Sequence, residues 1–104
     1  MSEKEQIEKE FLEWAPKEFQ RCVEKLIERT GRSAVHKITP QQVIAMMEIK
    51  KLRAEDCDSE EDWDDDLLDY INYAAIYKFV CFLQKRRAKQ AWEKVQESMR
   101  GETL

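Results

Sequence analysis

Apolar residues recur along this chain at spacings of three and four. Ile7, Phe11 and Trp14, then Phe19, Val23, Leu26 and Ile27, mark a first amphipathic stretch, and Val43, Met46, Met47, Ile49 and Leu52 a second. In the third, Leu67, Leu68, Ile71, Ala74, Ala75, Ile76, Phe79, Val80, Phe82 and Leu83 leave almost no polar face. Side chains three and four apart share one face of a helix, so the whole pattern predicts α-helix. A helix apolar nearly all round needs neighbours on every side. Amphipathicity returns at Trp92, Val95 and Met99.

The breakers divide these stretches. Only Pro16, Gly31, Pro40 and Gly101 interrupt the chain, and residues 41 to 100 contain neither Gly nor Pro. Helix 1 is expected over about 3–30 with a break at Pro16. Proline removes a hydrogen bond there, giving a kink near Glu13 or a fresh start. Gly31 suits a C-terminal cap. Helix 2 is expected over about 40–55, with Thr39 capping, Pro40 in the first position and Gln42 completing a capping box. Asp56-Cys57-Asp58-Ser59 favours a turn. Helix 3 then runs over about 60–88, with Glu60, Glu61 and Asp62 at the positive end of its dipole. A C-terminal arm over about 89–100 either continues it or forms a fourth helix.

The fold expected is one all-α domain over residues 1–104, a small helical bundle around a central apolar helix. A chain of 104 residues has little material to enclose such a helix. At least a dimer is therefore expected, with helix 3 or the C-terminal arm at the interface.

Charge narrows the partners. With 18 Lys and Arg against 22 Asp and Glu the net charge is −4, which argues against nonspecific nucleic-acid binding, since that requires many cations on phosphates. Cys22, Cys57 and Cys81 are odd in number and lack a CxxC pair, as free thiols in a reducing cytoplasm would be. Residues 1–10 are charged throughout, unlike a signal peptide. The longest apolar stretch, Leu67 to Leu83, contains Asp69, Asn72 and Lys78 and is too short and polar to span a bilayer.

Candidate chemistry centres on helices 2 and 3. Lys50 and Arg53 share a face of helix 2 with Glu48 nearby, and Asp66, Asp69 and Tyr73 share a face of helix 3. In an antiparallel hairpin these faces meet. One reading is a nucleotide site, with Asp66, Asp69 and Glu48 holding Mg²⁺ through oxygen and Lys50, Arg53 and Tyr73 contacting the ligand. The other is a partly buried ion-pair network that sets the register of the hairpin. The basic run containing Lys85, Arg86 and Arg87, with Trp92 beyond it, is a candidate interface for an acidic surface; equally, those cations complement the helix dipole. Tyr70, Tyr73 and Tyr77 fit a core or interface stripe better than a base-stacking platform. Asp56-x-Asp58-x-Glu60 opens like an EF-hand loop, but Glu61 stands where glycine is needed and Leu67 where a bidentate Glu is needed. His36 is the only histidine and no matched Cys or Ser motif surrounds it, so no catalytic triad or zinc site is expected.

The run Ile38-Thr39-Pro40-x-x-Val43-x-x-Met46-Met47-x-x-Lys50-x-x-Arg53, followed by Asp65-Asp66-Leu67-Leu68-Asp69-Tyr70-Ile71-Asn72-Tyr73-Ala74, resembles a group of small phage and prophage helical proteins of unassigned function. It is also similar to the phage nucleotide-modification-associated helical domain, in which a Lys/Arg helix precedes an Asp-rich helix ending in Tyr-Ala. The resemblance covers about Leu26 to Leu83. More distantly, Asp66-x-x-Asp69 is similar to the second acidic motif of the MazG-like all-α nucleotide pyrophosphatases, small helical oligomers that hold Mg²⁺ with carboxylates from two helices. Their first motif is ExxE, whereas here Glu48 is followed by Lys51, and cations replace metal-binding oxygens.

These resemblances imply a phage-type, non-enzymatic homo-oligomer of the host bacterial cytoplasm, with no catalytic residue and no cofactor. It would sequester a nucleotide-like ligand or engage a host protein, including one of host defence. The alternative they imply is a Mg²⁺-dependent MazG-like pyrophosphatase of reduced acidic motif.

Overall fold

A computed structural model of the chain describes residues 2–30 and 35–102. It contains three helices, α1 (Glu3–Thr30), α2 (Pro40–Glu55) and α3 (Glu60–Glu102), and the described residues include no strand. The all-α expectation is met. Gly31, the expected cap of helix 1, lies outside the described residues.

Local sequence accounts for the element ends. Thr39 Oγ1 accepts from the Gln42 backbone N–H at 3.2 Å, and the Gln42 side chain accepts from the Thr39 N–H at 2.9 Å. With Pro40 as the first helical residue, this is the capping box the sequence predicts. Ser59 Oγ accepts from the Asp62 N–H at 3.1 Å and caps α3, so the turn falls at residues 56–59.

At two places where the sequence left alternatives, the helix runs on unbroken. Pro16 lies inside a continuous α1 and starts no new helix. The C-terminal arm is the second half of α3, a single rod of 43 residues, or about 65 Å at 1.5 Å per residue. Its Gly101 stands in open space, with nothing within 4 Å of where a side chain would begin, and α-helix tolerates glycine there at a cost of about 1 kcal/mol.

α2 folds back antiparallel along α3, since Cys57 meets Asp66, Lys50 meets Asp69 and the carbonyl of His36 meets Arg87. α1 approaches only the first part of α3, running in the same direction: Arg21 pairs with Asp64, Lys25 with Asp65, and Arg29 with Asp69. The core between them is thin. Among the described residues its apolar members are Ala15, Cys22, Val43, Ala54, Leu68, Val80 and Leu83, of which Val43 is fully enclosed.

The enclosed central helix expected from the sequence is not what a single chain forms. Ile71, Phe79 and Phe82 of α3 are 38–55% exposed, because α1 and α2 cover only part of its circumference. On α1, Ile7, Phe11, Trp14, Phe19, Val23 and Ile27 are exposed, and contact runs instead through Ala15 and Cys22. On α2, Ile49 and Leu52 are also exposed, and the inward face is Val43, Met46, Met47, Lys50 and Ala54. The radius of gyration is 20.3 Å, against about 13 Å for a compact domain of this length.

Candidate functional site

One turn and a half of α3 carries Asp64, Asp65, Asp66 and Asp69, and cations from both other helices converge on it. α1 supplies Arg21, Lys25 and Arg29, spaced four apart and therefore on one face. Arg21 Nη2 lies 2.7 Å from Asp64 and its Nη1 3.0 Å from Glu18. Lys25 pairs with Asp65 and stands 3.8 Å from Asp69, while Arg29 donates to Asp69 Oδ1. From α2, Lys50 Nζ reaches Asp69 Oδ2 at 3.0 Å and Asp66 Oδ1 at 3.8 Å. Asp66 also accepts from the Cys57 thiol at 3.4 Å.

Asp69 is the hub. It is 5% exposed, and a buried carboxylate is tolerable only with close cations and hydrogen bonds. Here three cations surround it. Burial pushes the Lys25 ammonium below its ordinary pKa, with Asp69 opposing that shift. Burial raises the Cys57 thiol, and the hydrogen bond to Asp66 raises it further. The Asp64 and Glu18 carboxylates raise Arg21, Asp64 the more.

The expected constellation is thus assembled in part. Lys50, Asp66 and Asp69 come together, and Tyr73 stands half-buried one turn beyond Asp69. Arg53 and Glu48 are exposed on α2 and join none of these ion pairs. Among the described residues, no group of three or more His, Cys, Asp or Glu side chains is placed to hold a metal. Lys85, Arg86, Arg87 and Trp92 are all exposed. Arg86 sits 5.9 Å from the Phe82 ring centroid, and Arg87 donates to the His36 carbonyl at 3.0 Å, tying α3 to the segment before α2.

Sequence reasoning missed the three cations of α1: their four-residue spacing puts them on one face without saying which helix that face meets. It also missed a cavity of about 410 Å³ beside the hub. Arg29, Asp69, Asn72 and Tyr73 contribute its polar groups; Leu26, Val35, Ala75, Ile76 and Phe79 line the rest. Asn72 is 8% exposed. Chemically this is a mostly apolar recess whose lining includes a guanidinium from α1 and a carboxylate, an amide and a phenol from α3, the composition of a small-ligand pocket.

Compared with protein-family models, curated proteins and solved structures, the chain matches none. Among the described residues, no helix is long and apolar enough to cross a membrane.

Proposed function

We propose that this protein is a phage-type, non-enzymatic binding protein that sequesters a nucleotide-like small molecule in the cavity beside Asp69. The observation that carries the reading is the pairing of a mostly apolar, 410 Å³ recess with Arg29 at its wall. Small-ligand pockets are typically about 300–1,000 Å³, lined by apolar groups with a few polar ones fixing orientation. The Phe79 and Ile76 side chains would flank a base, Asn72 and Tyr73 would meet its polar edge, and the Arg29 guanidinium, whose side chain is 51% exposed, would meet an anionic group. Guanidinium offers a rigid fork matched to phosphate. Lys50 serves the site indirectly by neutralising Asp69. The assembly would be a homo-oligomer working in the host bacterial cytoplasm, and engagement of a host defence protein fits the same resemblance.

A Mg²⁺-dependent pyrophosphatase of MazG-like type is the second reading, resting on Asp66-x-x-Asp69. Both carboxylates already pair with Lys50, Asp69 at 3.0 Å and Asp66 at 3.8 Å, and Asp69 pairs with Lys25 and Arg29 as well. Cations already seated at the carboxylates compete with a hard metal, which needs several oxygen ligands.

A melting-temperature screen against mono-, di- and triphosphate and cyclic nucleotides, with and without Mg²⁺, tests this. Ligand at a hundred times its dissociation constant adds about 2.7 kcal/mol of stability, and the Arg29→Gln variant should lose most of that gain. The absence of a shift with every nucleotide would overturn the proposal. Pyrophosphate release that Asp69→Ala abolishes would establish the enzyme instead.

A further inference from the structure

We infer that a second copy of this chain covers the two apolar stripes exposed at either end of the molecule, the first half of α1 of each copy lying on the second half of α3 of the other. The inference is independent of what the cavity binds. Ile7, Phe11 and Trp14, 55–58% exposed, form a stripe with spacings of four and three, and it continues along the same face to Cys22, where α1 meets its own α3. Among the described residues, the stripe therefore runs past the start of α3 with its side chains more than half exposed. At the other end, Ala88, Trp92, Val95 and Met99 repeat at four, three and four, a heptad seam, and the last three are 48–60% exposed.

Within one chain these stripes cannot meet. α1 and α3 run in the same direction through the ion pairs at Asp64 to Asp69, so the first half of α1 leads away from the crossing on one side and the arm of α3 on the other. Trp92 is 23 residues beyond Asp69 on α3, about 34 Å at helical rise.

Charge selects how two copies pair. Residues 3–14 carry five Glu against two Lys, a net −3, and residues 85–100 carry six Lys and Arg against two Glu, a net +4. Like ends repel and unlike ends attract, so charge disfavours both α1 on α1 and arm on arm. Glu8 and Glu10 flank the α1 stripe, and Lys85 and Lys89 run along one edge of the α3 seam. A twofold axis makes the contact twice. Two copies of Phe11, Trp14 and Trp92, each more than half exposed, supply roughly 700 Å² of ring surface at about 200 Å² per ring. Ile7, Val95 and Met99 raise that toward the roughly 1,200–2,000 Å² of a stable pair.

Sedimentation equilibrium of the full chain tests the pairing. The wild type should sediment at twice 12.5 kDa at micromolar concentration. Glu8→Lys/Glu10→Lys and Lys85→Glu/Lys89→Glu should each weaken self-association at least tenfold, with helicity by circular dichroism changed little, because these side chains are exposed and α1 loses only the surface contacts of Glu8 with Lys4 and of Glu10 with Gln6. An equimolar mixture of the two variants should restore a dimer, since both contacts in the mixed pair regain opposite charges. A monomeric wild type, an assembly as tight as wild type in either variant, or a mixture that stays monomeric would each overturn the inference.

Discussion

Replacing Asp69 with Asn keeps the shape of the hub and removes its charge, leaving Lys25, Arg29 and Lys50 without their common acceptor. Breaking a buried ion pair from one side typically costs about 3–5 kcal/mol. The lower end applies here. Lys25 keeps Asp65, Lys50 keeps Asp66 at 3.8 Å, and the half-exposed Arg29 can rehydrate. A loss of about 3 kcal/mol at 4–8 °C per kcal/mol lowers the melting temperature of a domain this size by roughly 12–24 °C. Asp64→Asn is the internal control. Its pair with Arg21 has side chains 39% and 51% exposed, and so exposed a pair contributes little to stability. Thermal melts by circular dichroism, at one protein concentration because self-association shifts them, should separate the two variants clearly. Adding Lys50→Met to Asp69→Asn should cost less than the sum of the single losses, because the cation stranded by the first change is gone. Equal losses for Asp64→Asn and Asp69→Asn, or strict additivity with Lys50→Met, would refute the claim that Asp69 is a buried electrostatic hub.

Thr39→Ala removes the acceptor for the Gln42 N–H and half the capping box at the start of α2, so a loss of about 1 kcal/mol, measured by chemical denaturation, is expected. Cys22 is 3% exposed, and burial, with Glu18 contributing, raises its thiol above the ordinary value. Its neutral form is favoured in the folded chain, so this stabilisation is complete below the unfolded thiol's pKa of about 8.5 and is lost as pH rises through the higher folded value. The stability difference between wild type and Cys22→Ala should therefore fall on the alkaline side of pH 8.5 and stay level below it; a level difference up to pH 10 would contradict the assignment.

Local chemistry made most of the secondary structure legible. Thr39-Pro40-x-Gln42 set the start of α2, and Ser59 with three acidic residues after it set the start of α3, because a cap acts over three or four residues and needs nothing distant. Pro16 left two outcomes open, a kinked helix or a fresh start. A proline's local penalty of about 3 kcal/mol can be outweighed by the turns on either side and by tertiary contact, so α1 continues through it.

The site was half legible. Lys50, Asp66 and Asp69 could be matched across α2 and α3 because a four-residue turn forces adjacent antiparallel helices into a predictable register. Arg21, Lys25 and Arg29 belong to a helix separated from α3 by all of α2, and no spacing rule reaches that far.

What the sequence by itself determined is the run of helices, their caps and the charge on each face, since those follow from interactions within one or two turns. Which apolar stripes are covered was decided only in three dimensions. Periodicity marks a face as apolar without saying what meets it, and the direction in which α1 crosses α3 leaves Phe11, Trp14 and Trp92 more than half exposed while bringing Lys25, Arg29 and a cavity to Asp69.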